Sequence, residues 1–445
     1  MNSAHIPPLL TALALIVAVA CVFGAAARKI HQPTVVGEII AGILLGPTLF
    51  DGAVADALFP AEIQPLLGAL ANIGLALFMF SVGAEVDLGH VRRHGRTAIT
   101  VAVASTAAPF ALGVALALHL APRHPGVDGP GFVLFIGVAV SITAFPVLAR
   151  ILADRGRGRT RSPIEGLALS SAAAADVLMW SVLAAIVAMV GAGARSLWST
   201  ALVIPFALVM LFVVRPGLRR LHDGWGATEY GTKMLALTVA GLLASGAATE
   251  LMGIHFIFGA FLFGLVMPRS EQDAVREAAW KGIDRIGGVL LLPVYFVVAG
   301  MSVDLSAIDV PGLGELGLIL AVSIGGKITG TFLAARIHRI DWHEATVLGV
   351  LMNTRGLTEL IVLTIGLPLG LLDRRLYSLF VLMALLTTAM TGPALWLLTR
   401  RLRGPASDRT ADSQSERPRD PRAGEDGAHP RALTRPSATS RSSSR

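Results

Sequence analysis

Ser170-Ser171-Ala172-Ala173-Ala174-Ala175-Asp176-Val177-Leu178-Met179-Trp180 puts one carboxylate at the centre of a largely apolar run that reads as a helix over 164–190. Roughly 20 apolar residues in a helix cross the hydrocarbon of a bilayer. An acid at mid-depth is expensive there, and by default marks a function. The small residues before Asp176 leave room for close backbone approach and for water, rather than for a packed ion pair.

The 445 residues are 54% hydrophobic and 15% charged, with mean hydropathy +0.67. Soluble domains carry about 25% charged residues, so lipid must solvate most of this chain. A single cysteine, Cys21, excludes an intramolecular disulfide framework. The net charge of +7 does not point to nucleic acid, because the arginines sit between apolar runs and in the tail. Leu9 to Ala20 ahead of Cys21 resembles a lipoprotein leader. However, residues 1–27 hold no Lys or Arg, and Arg28-Lys29 follow the apolar stretch. A leader wants the opposite order, so this reads as a retained first helix with its N-terminus outside.

Apolar runs predict an all-α polytopic membrane protein of about thirteen transmembrane helices, near 9–27, 34–50, 66–83, 97–120, 131–153, 164–190, 198–220, 232–251, 254–268, 285–301, 312–335, 343–366 and 376–400. Cytoplasmic loops collect Lys and Arg. With the N-terminus outside, the cytoplasmic side receives Arg28, Lys29, Arg92, Arg93, Arg96 and the arginine-rich stretch 150–161, among others. The opposite side receives only Arg123, Arg195, Arg374 and Arg375. The C-terminus is then cytoplasmic. Residues 1–403 read as the membrane domain. Residues 404–445, rich in Ser, Arg, Pro and Asp, read as a disordered cytoplasmic tail.

Gly83-Ala84-Glu85-Val86-Asp87-Leu88 and Gly300-Met301-Ser302-Val303-Asp304-Leu305 end two helices 217 residues apart, and Gly42 meets Gly259 at the same offset. An odd number of helices separates the copies, so they run in opposite directions. Inverted repeats are a common construction of secondary transporters.

Besides Asp176, three ionisable residues lie well inside spans: Lys327 in Gly325-Gly326-Lys327-Ile328-Thr329-Gly330, and Arg355 with Glu359 in Asn353-Thr354-Arg355-Gly356-Leu357-Thr358-Glu359. Arg355 and Glu359, four residues apart, also suit a structural ion pair. Two helices read as broken at mid-membrane, one at Ser141-Ile142-Thr143-Ala144-Phe145-Pro146 and one at 353–356. Proline removes a helix hydrogen bond, and unwound backbone survives in a bilayer only where protein or a watery cavity satisfies it. The freed oxygens around Thr143, Ala144 and Asn353 suit a partly dehydrated cation. His255 and His31 read as interfacial residues. Neither a metal-ligand spacing such as His-Glu-x-x-His nor a phosphate-binding glycine loop occurs.

These residues resemble the monovalent cation:proton antiporter-2 family, which includes plant cation/proton exchangers and the membrane part of bacterial potassium-efflux proteins. The likeness runs over roughly 8–402. It is carried by His31-Gln32-Pro33-Thr34-Val35-Val36-Gly37-Glu38 through Gly46-Pro47, Thr143-Ala144-Phe145-Pro146-Val147-Leu148-Ala149-Arg150, Gly253-Ile254-His255, and Leu351-Met352-Asn353-Thr354-Arg355-Gly356-Leu357-Thr358-Glu359-Leu360. The resemblance implies a homodimer in the cell (inner) membrane, with a dimerisation domain and a core that moves elevator-fashion. Within the core, two broken helices cross near the transport acid, which matches Asp176, and the family lysine matches Lys327. Many electrogenic relatives carry two adjacent acids, whereas the first position here is Ala175. The resemblance implies no cofactor, no enzymatic activity and, for this chain, no nucleotide-binding domain. The expected mechanism is competition of a proton with Na+ or K+ for Asp176, aided by oxygens from around Thr143 and from the 353–356 break. A gated K+ channel and an intramembrane aspartyl protease are the rival readings. The protease would need a second deep Asp, which the spans do not supply.

Overall fold

The computed structural model describes residues 5–30, 32–48, 52–85, 88–127, 129–155, 162–191, 202–224, 227–267, 287–306 and 308–400. The 156–161 arginine stretch, His31, and the expected tail at 404–445 lie outside them.

No strand occurs among the described residues. The helices, in chain order, are α1 (Ile6–Lys29), α2 (Thr34–Leu45), α3 (Ala53–Leu58), α4 (Gln64–Glu85), α5 (Leu88–Leu120), α6 (Gly129–Ser141), α7 (Phe145–Arg155), α8 (Pro163–Gly191), α9 (Val203–Val209), α10 (Arg215–Gly224), α11 (Ala227–Leu251), α12 (Phe256–Val266), α13 (Leu292–Met301), α14 (Val310–Ile337), α15 (Trp342–Met352), α16 (Leu357–Gly366) and α17 (Arg374–Arg400). Wide π turns join α9 to α10 and lead into α13. Among the described residues, eight segments are long and apolar enough to cross a bilayer, with shorter apolar helices at Thr34–Leu45, Phe256–Val266 and Gly287–Met301. Large apolar side chains lie open on the surface, Val22, Leu118, Ile204 and Phe212 among them. In water such a surface would drive association; a bilayer solvates it. The chain is a multi-pass membrane protein.

The expected break near Pro146 is present, but proline does not kink a continuous helix. Residues 142–144 are non-helical, and Pro146 is the second residue of α7. In a first turn its missing N–H costs nothing. The second break spans 353–356, between α15 and α16. Gly356 there has φ +152°, a conformation that L side chains rarely adopt.

Two groups of helices pack around these breaks. In one, α5 lies against α6, α8 and α14, and α14 lies against α15. In the other, α2 packs on α1 and α13, and α12 packs on α4 and α11. The second group is built on backbone contact. A Cβ at Gly42 would stand 2.3 Å from the carbonyl oxygen of Val297, and one at Gly300 would stand 2.5 Å from that of Ile39. The α4–α12 contact repeats the device: Gly83 meets the Phe261 carbonyl, and Gly264 meets that of Phe80, each at 2.1 Å. Small residues that let helix backbones touch are the usual packing solution where lipid supplies no hydrophobic drive.

Gly300→Val therefore requires α2 and α13 to separate. The expected loss is about 3 kcal/mol, the upper end of overpacking. It should be seen as a lowered midpoint of thermal unfolding in detergent and a reduced folded yield, while Gly68→Ala, whose Cβ would meet open space, should unfold like the parent.

Candidate functional site: two helix breaks around Asp176

A helix that stops inside a membrane leaves its last carbonyls without intrahelical donors. α6 stops at Ser141, and two cations meet its end. Lys327 of α14, fully buried, donates from Nζ to the Ser141 carbonyl. Arg355, fully buried in the second break, donates from Nη1 to the Ala139 carbonyl at 3.0 Å and from Nη2 to the Val140 carbonyl. The negative end of the α6 dipole and its free carbonyls thus face two positive charges. Arg355 Nη1 also pairs with Glu359 Oε1 at 3.1 Å, both side chains having no exposure. Thr388 of α17 donates to the Arg355 carbonyl at 2.8 Å.

The breaks satisfy each other as well. The Ala144 N–H donates to the Thr354 carbonyl at 3.0 Å, and Thr143 Oγ1 donates to the Met352 carbonyl at 3.3 Å. The unwound strand of one helix therefore supplies donors to the C-terminal end of the other.

Asp176, 2% exposed, comes from the middle of α8. Its carboxylate accepts the backbone N–H of Phe145, the first residue of α7, and so sits at the positive end of that half-helix. Oδ2 is buried and accepts no hydrogen bond among the described residues. Lys327 stands near enough for the two charges to interact. Among the described residues, further buried oxygens without hydrogen-bond partners are Ser171 Oγ, Asn353 Oδ1, Thr358 Oγ1 and Glu359 Oε2, with Ser323 Oγ and Thr331 Oγ1 on α14. Ala175 is 1% exposed and adds no polar group. The expected set is thus distributed over α8 (Asp176), α14 (Lys327), α16 (Glu359), the first break (Thr143, Ala144) and the second (Asn353, Arg355). The hydroxyl hydrogen of Thr143 is engaged with Met352. Its oxygen retains acceptor capacity.

Residues 14–400 match the family described as sodium/hydrogen exchanger, transmembrane. The chain belongs to that family. Cation/H(+) antiporter 20 of Arabidopsis thaliana is 40% identical over 418 residues, covering 89% of this chain and 49% of the relative. The Na(+)/H(+) antiporter NhaS4 of Synechocystis is 36% identical over 395 residues, covering 86% of this chain and 95% of the relative. The chain thus spans about half the length of the plant protein and nearly all of the cyanobacterial one. The sodium proton antiporter MjNhaP1 of Methanocaldococcus jannaschii superposes with a TM-score of 0.66 over 88% of this chain and 99% of that one, at 16% identity. At that identity the likeness concerns the fold.

In this exchanger-family chain, several contributors were not legible beforehand. Thr388 and Ser141 engage the charged residues through backbone carbonyls or as carbonyls themselves, which no sequence spacing reports. Ser171 sits five residues before Asp176, and a single serine in an alanine-rich run carries no signal of its own. His255, expected at an interface, precedes the first residue of α12, and Glu250 Oε2 accepts the Phe256 N–H at 2.9 Å.

Truncating Arg355 strips donors from Ala139 and Val140 and leaves Glu359 buried without its partner. Arg355→Met should cost about 3–5 kcal/mol, read as a lower unfolding midpoint in detergent. Arg355→Lys should recover only part of this, since an ammonium lacks the planar fork.

Proposed function

We propose that this chain exchanges a monovalent cation, Na+ or K+, for protons across the cell membrane, with both ions competing for Asp176. The observation that carries the reading is the free oxygen of Asp176: a buried carboxylate held by one N–H at a half-helix N-terminus, with Oδ2 open to a proton or a cation. Family membership supports transport rather than covalent chemistry. The names of the Arabidopsis and Synechocystis relatives describe cation/H+ and Na+/H+ antiport in those proteins.

The charges suit competition. Lys327, Arg355 and Glu359 together carry one positive charge, which an ionised Asp176 cancels. Adding one proton or one monovalent cation then gives the same net charge, as one-for-one competition for a single carboxylate needs. Oxygens of Thr143, Asn353 and Ser171 are proposed to complete the shell of the cation. Ala175 in place of a second acid supports one proton exchanged per cation.

The proposed architecture has about thirteen spans over 1–403, with the N-terminus outside and the C-terminus cytoplasmic. The two halves are inverted repeats. The 217-residue offset carries Gly83 of the α4–α12 contact to Gly300 of the α13–α2 contact, whereas Gly42 of α2 maps to Gly259, which faces Ser245 of α11 instead. The α4–α12 and α13–α2 contacts both bring glycine against backbone, which supports the repeat at the Gly83 and Gly300 positions. The group containing α5–α8 and α14–α17 is proposed to move elevator-fashion against the group containing α2, α4, α12 and α13, the latter serving as the dimerisation domain of a homodimer.

Asp176→Asn keeps size and hydrogen bonding but removes the exchangeable charge. It should fold in normal yield with an unchanged unfolding midpoint, and show no Na+- or K+-dependent dequenching of a pH dye in everted vesicles. Exchange by a well-folded Asp176→Asn would refute the competition. With one proton per cation, wild-type exchange should also be insensitive to an imposed membrane potential; a current proportional to transport would overturn that stoichiometry.

A further inference from the structure

Away from the breaks, a second charged cluster closes the membrane face on which α5 and α16 end and α14 and α17 begin. Its centre is His124, in the connection between α5 and α6, only 3% exposed. Nδ1 lies 2.6 Å from Asp373 Oδ2, and Nε2 lies 3.3 Å from Glu315 Oε2. A neutral imidazole carries one N–H, and only the imidazolium donates at both nitrogens. With carboxylate oxygens at both, the geometry selects the charged form.

The surrounding charges reinforce this. Arg375 at the start of α17 approaches Glu315 Oε2 at 3.7 Å and donates to Asp309 Oδ1 at 2.6 Å. Asp309 in turn caps α14 by accepting the Gly312 N–H at 2.8 Å. Arg123, beside His124, is turned away onto the His119 carbonyl. Three carboxylates therefore meet one permanent cation, Arg375, and His124. Losing the imidazolium proton doubles the net negative charge of this group and leaves a nitrogen lone pair facing an acid.

The cluster is mechanically connected. Asp373 Oδ1 accepts the Leu376 N–H at 2.6 Å and so caps α17. The next residue, Arg374, lines a cavity of about 480 Å³ together with Pro47, Asp56, Ser302, Asp304 and Leu367. Ser378, one turn further along α17, donates to the Arg374 carbonyl at 2.8 Å and accepts the Asp304 N–H at 2.9 Å. The partner of His124 thus caps the helix whose first residue, Arg374, lines the cavity.

We propose that His124, Glu315 and Asp373 form a proton-operated clasp that ties the α5–α6 connection to the starts of α14 and α17, closed when His124 is protonated and released in alkaline solution on that face. Burial alone would lower the His124 pKa. The hydrogen bond and charge of Asp373, joined by Glu315, outweigh it and raise the group above its ordinary 6.5. Burial pushes Asp373 up, but the hydrogen bonds from His124 and the Leu376 N–H hold it below the usual carboxylate value. A raised histidine stabilises the folded state fully below pH 6.5 and loses that contribution as pH rises through its folded value. A depressed Asp373 contributes above its ordinary value and loses that only in acid. From neutral to alkaline pH, within this cluster, the change is therefore the His124 proton.

The test uses full-length purified protein in detergent, with thermal unfolding followed from pH 6 to 9. Wild type should lose several degrees over this range. His124→Gln should start lower at pH 6 and lose that slope. Glu315→Gln should fold and move the fall about one pH unit toward acid, having lost one of the two opposed charges. An unchanged slope in His124→Gln overturns the clasp. Should that variant fail to fold, an unmoved midpoint in Glu315→Gln overturns it equally. The proposal concerns the same transporter but does not rest on the exchange reading, because unfolding is measured without transport. A failure of cation-dependent proton movement would strike that reading and leave the melting comparison to decide the clasp.

Discussion

The fold depends on how α6 is allowed to stop in the middle of a membrane. A buried polar group without a partner costs several kcal/mol where no water reaches it, and α6 ends with three successive carbonyls in that position. Lys327 and Arg355 answer them from two other elements. The arrangement solves two problems together, because the cations would themselves be prohibitive in lipid. Carbonyl ends and cations are each untenable alone and acceptable in combination. Glu359 then balances Arg355, and Ala144 and Thr143 serve the end of α15.

Once both breaks are held, a small volume remains in which backbone termini, rather than side chains, set the field. Asp176 enters it from an unbroken helix, so its position is governed by the rigid rod of α8 and not by a mobile loop. Sites on regular elements are held more closely than sites on loops. The alanines ahead of Asp176, with Ala172 and Ala175 buried and without bulk, let the broken helices approach close enough for the Phe145 N–H to reach the carboxylate.

The membrane class was legible because lipid leaves the backbone few choices: apolar runs of sufficient length must be helices. The breaks were legible from Pro146 and from Asn353 through Gly356, residues whose backbone preferences act locally. The partners were not. Lys327 engages the Ser141 carbonyl, 186 residues away, and nothing near either residue announces it. Pro146 was read as marking a break, and the break is there; what the sequence did not tell is that Pro146 lies past it, in the first turn of a new helix, where its missing N–H is tolerated. His124 carried no signal at all: its meaning comes from Glu315 and Asp373, 191 and 249 residues distant.

The separation between Ser141 and Lys327 also bears on how the protein is made. At about 5–20 residues per second, the ribosome delivers Lys327 roughly 10–40 seconds after Ser141, with Arg355 later still. Throughout that interval the end of α6 exists without the cations that satisfy it. During biogenesis the first half must keep this terminus in contact with water or with the insertion machinery, so it cannot settle into the bilayer in its final form before the second half arrives. Completion of the fold is then gated by synthesis of α14 and of the segment after α15, and a chain truncated before Lys327 is left holding an exposed polar helix end that quality control can recognise.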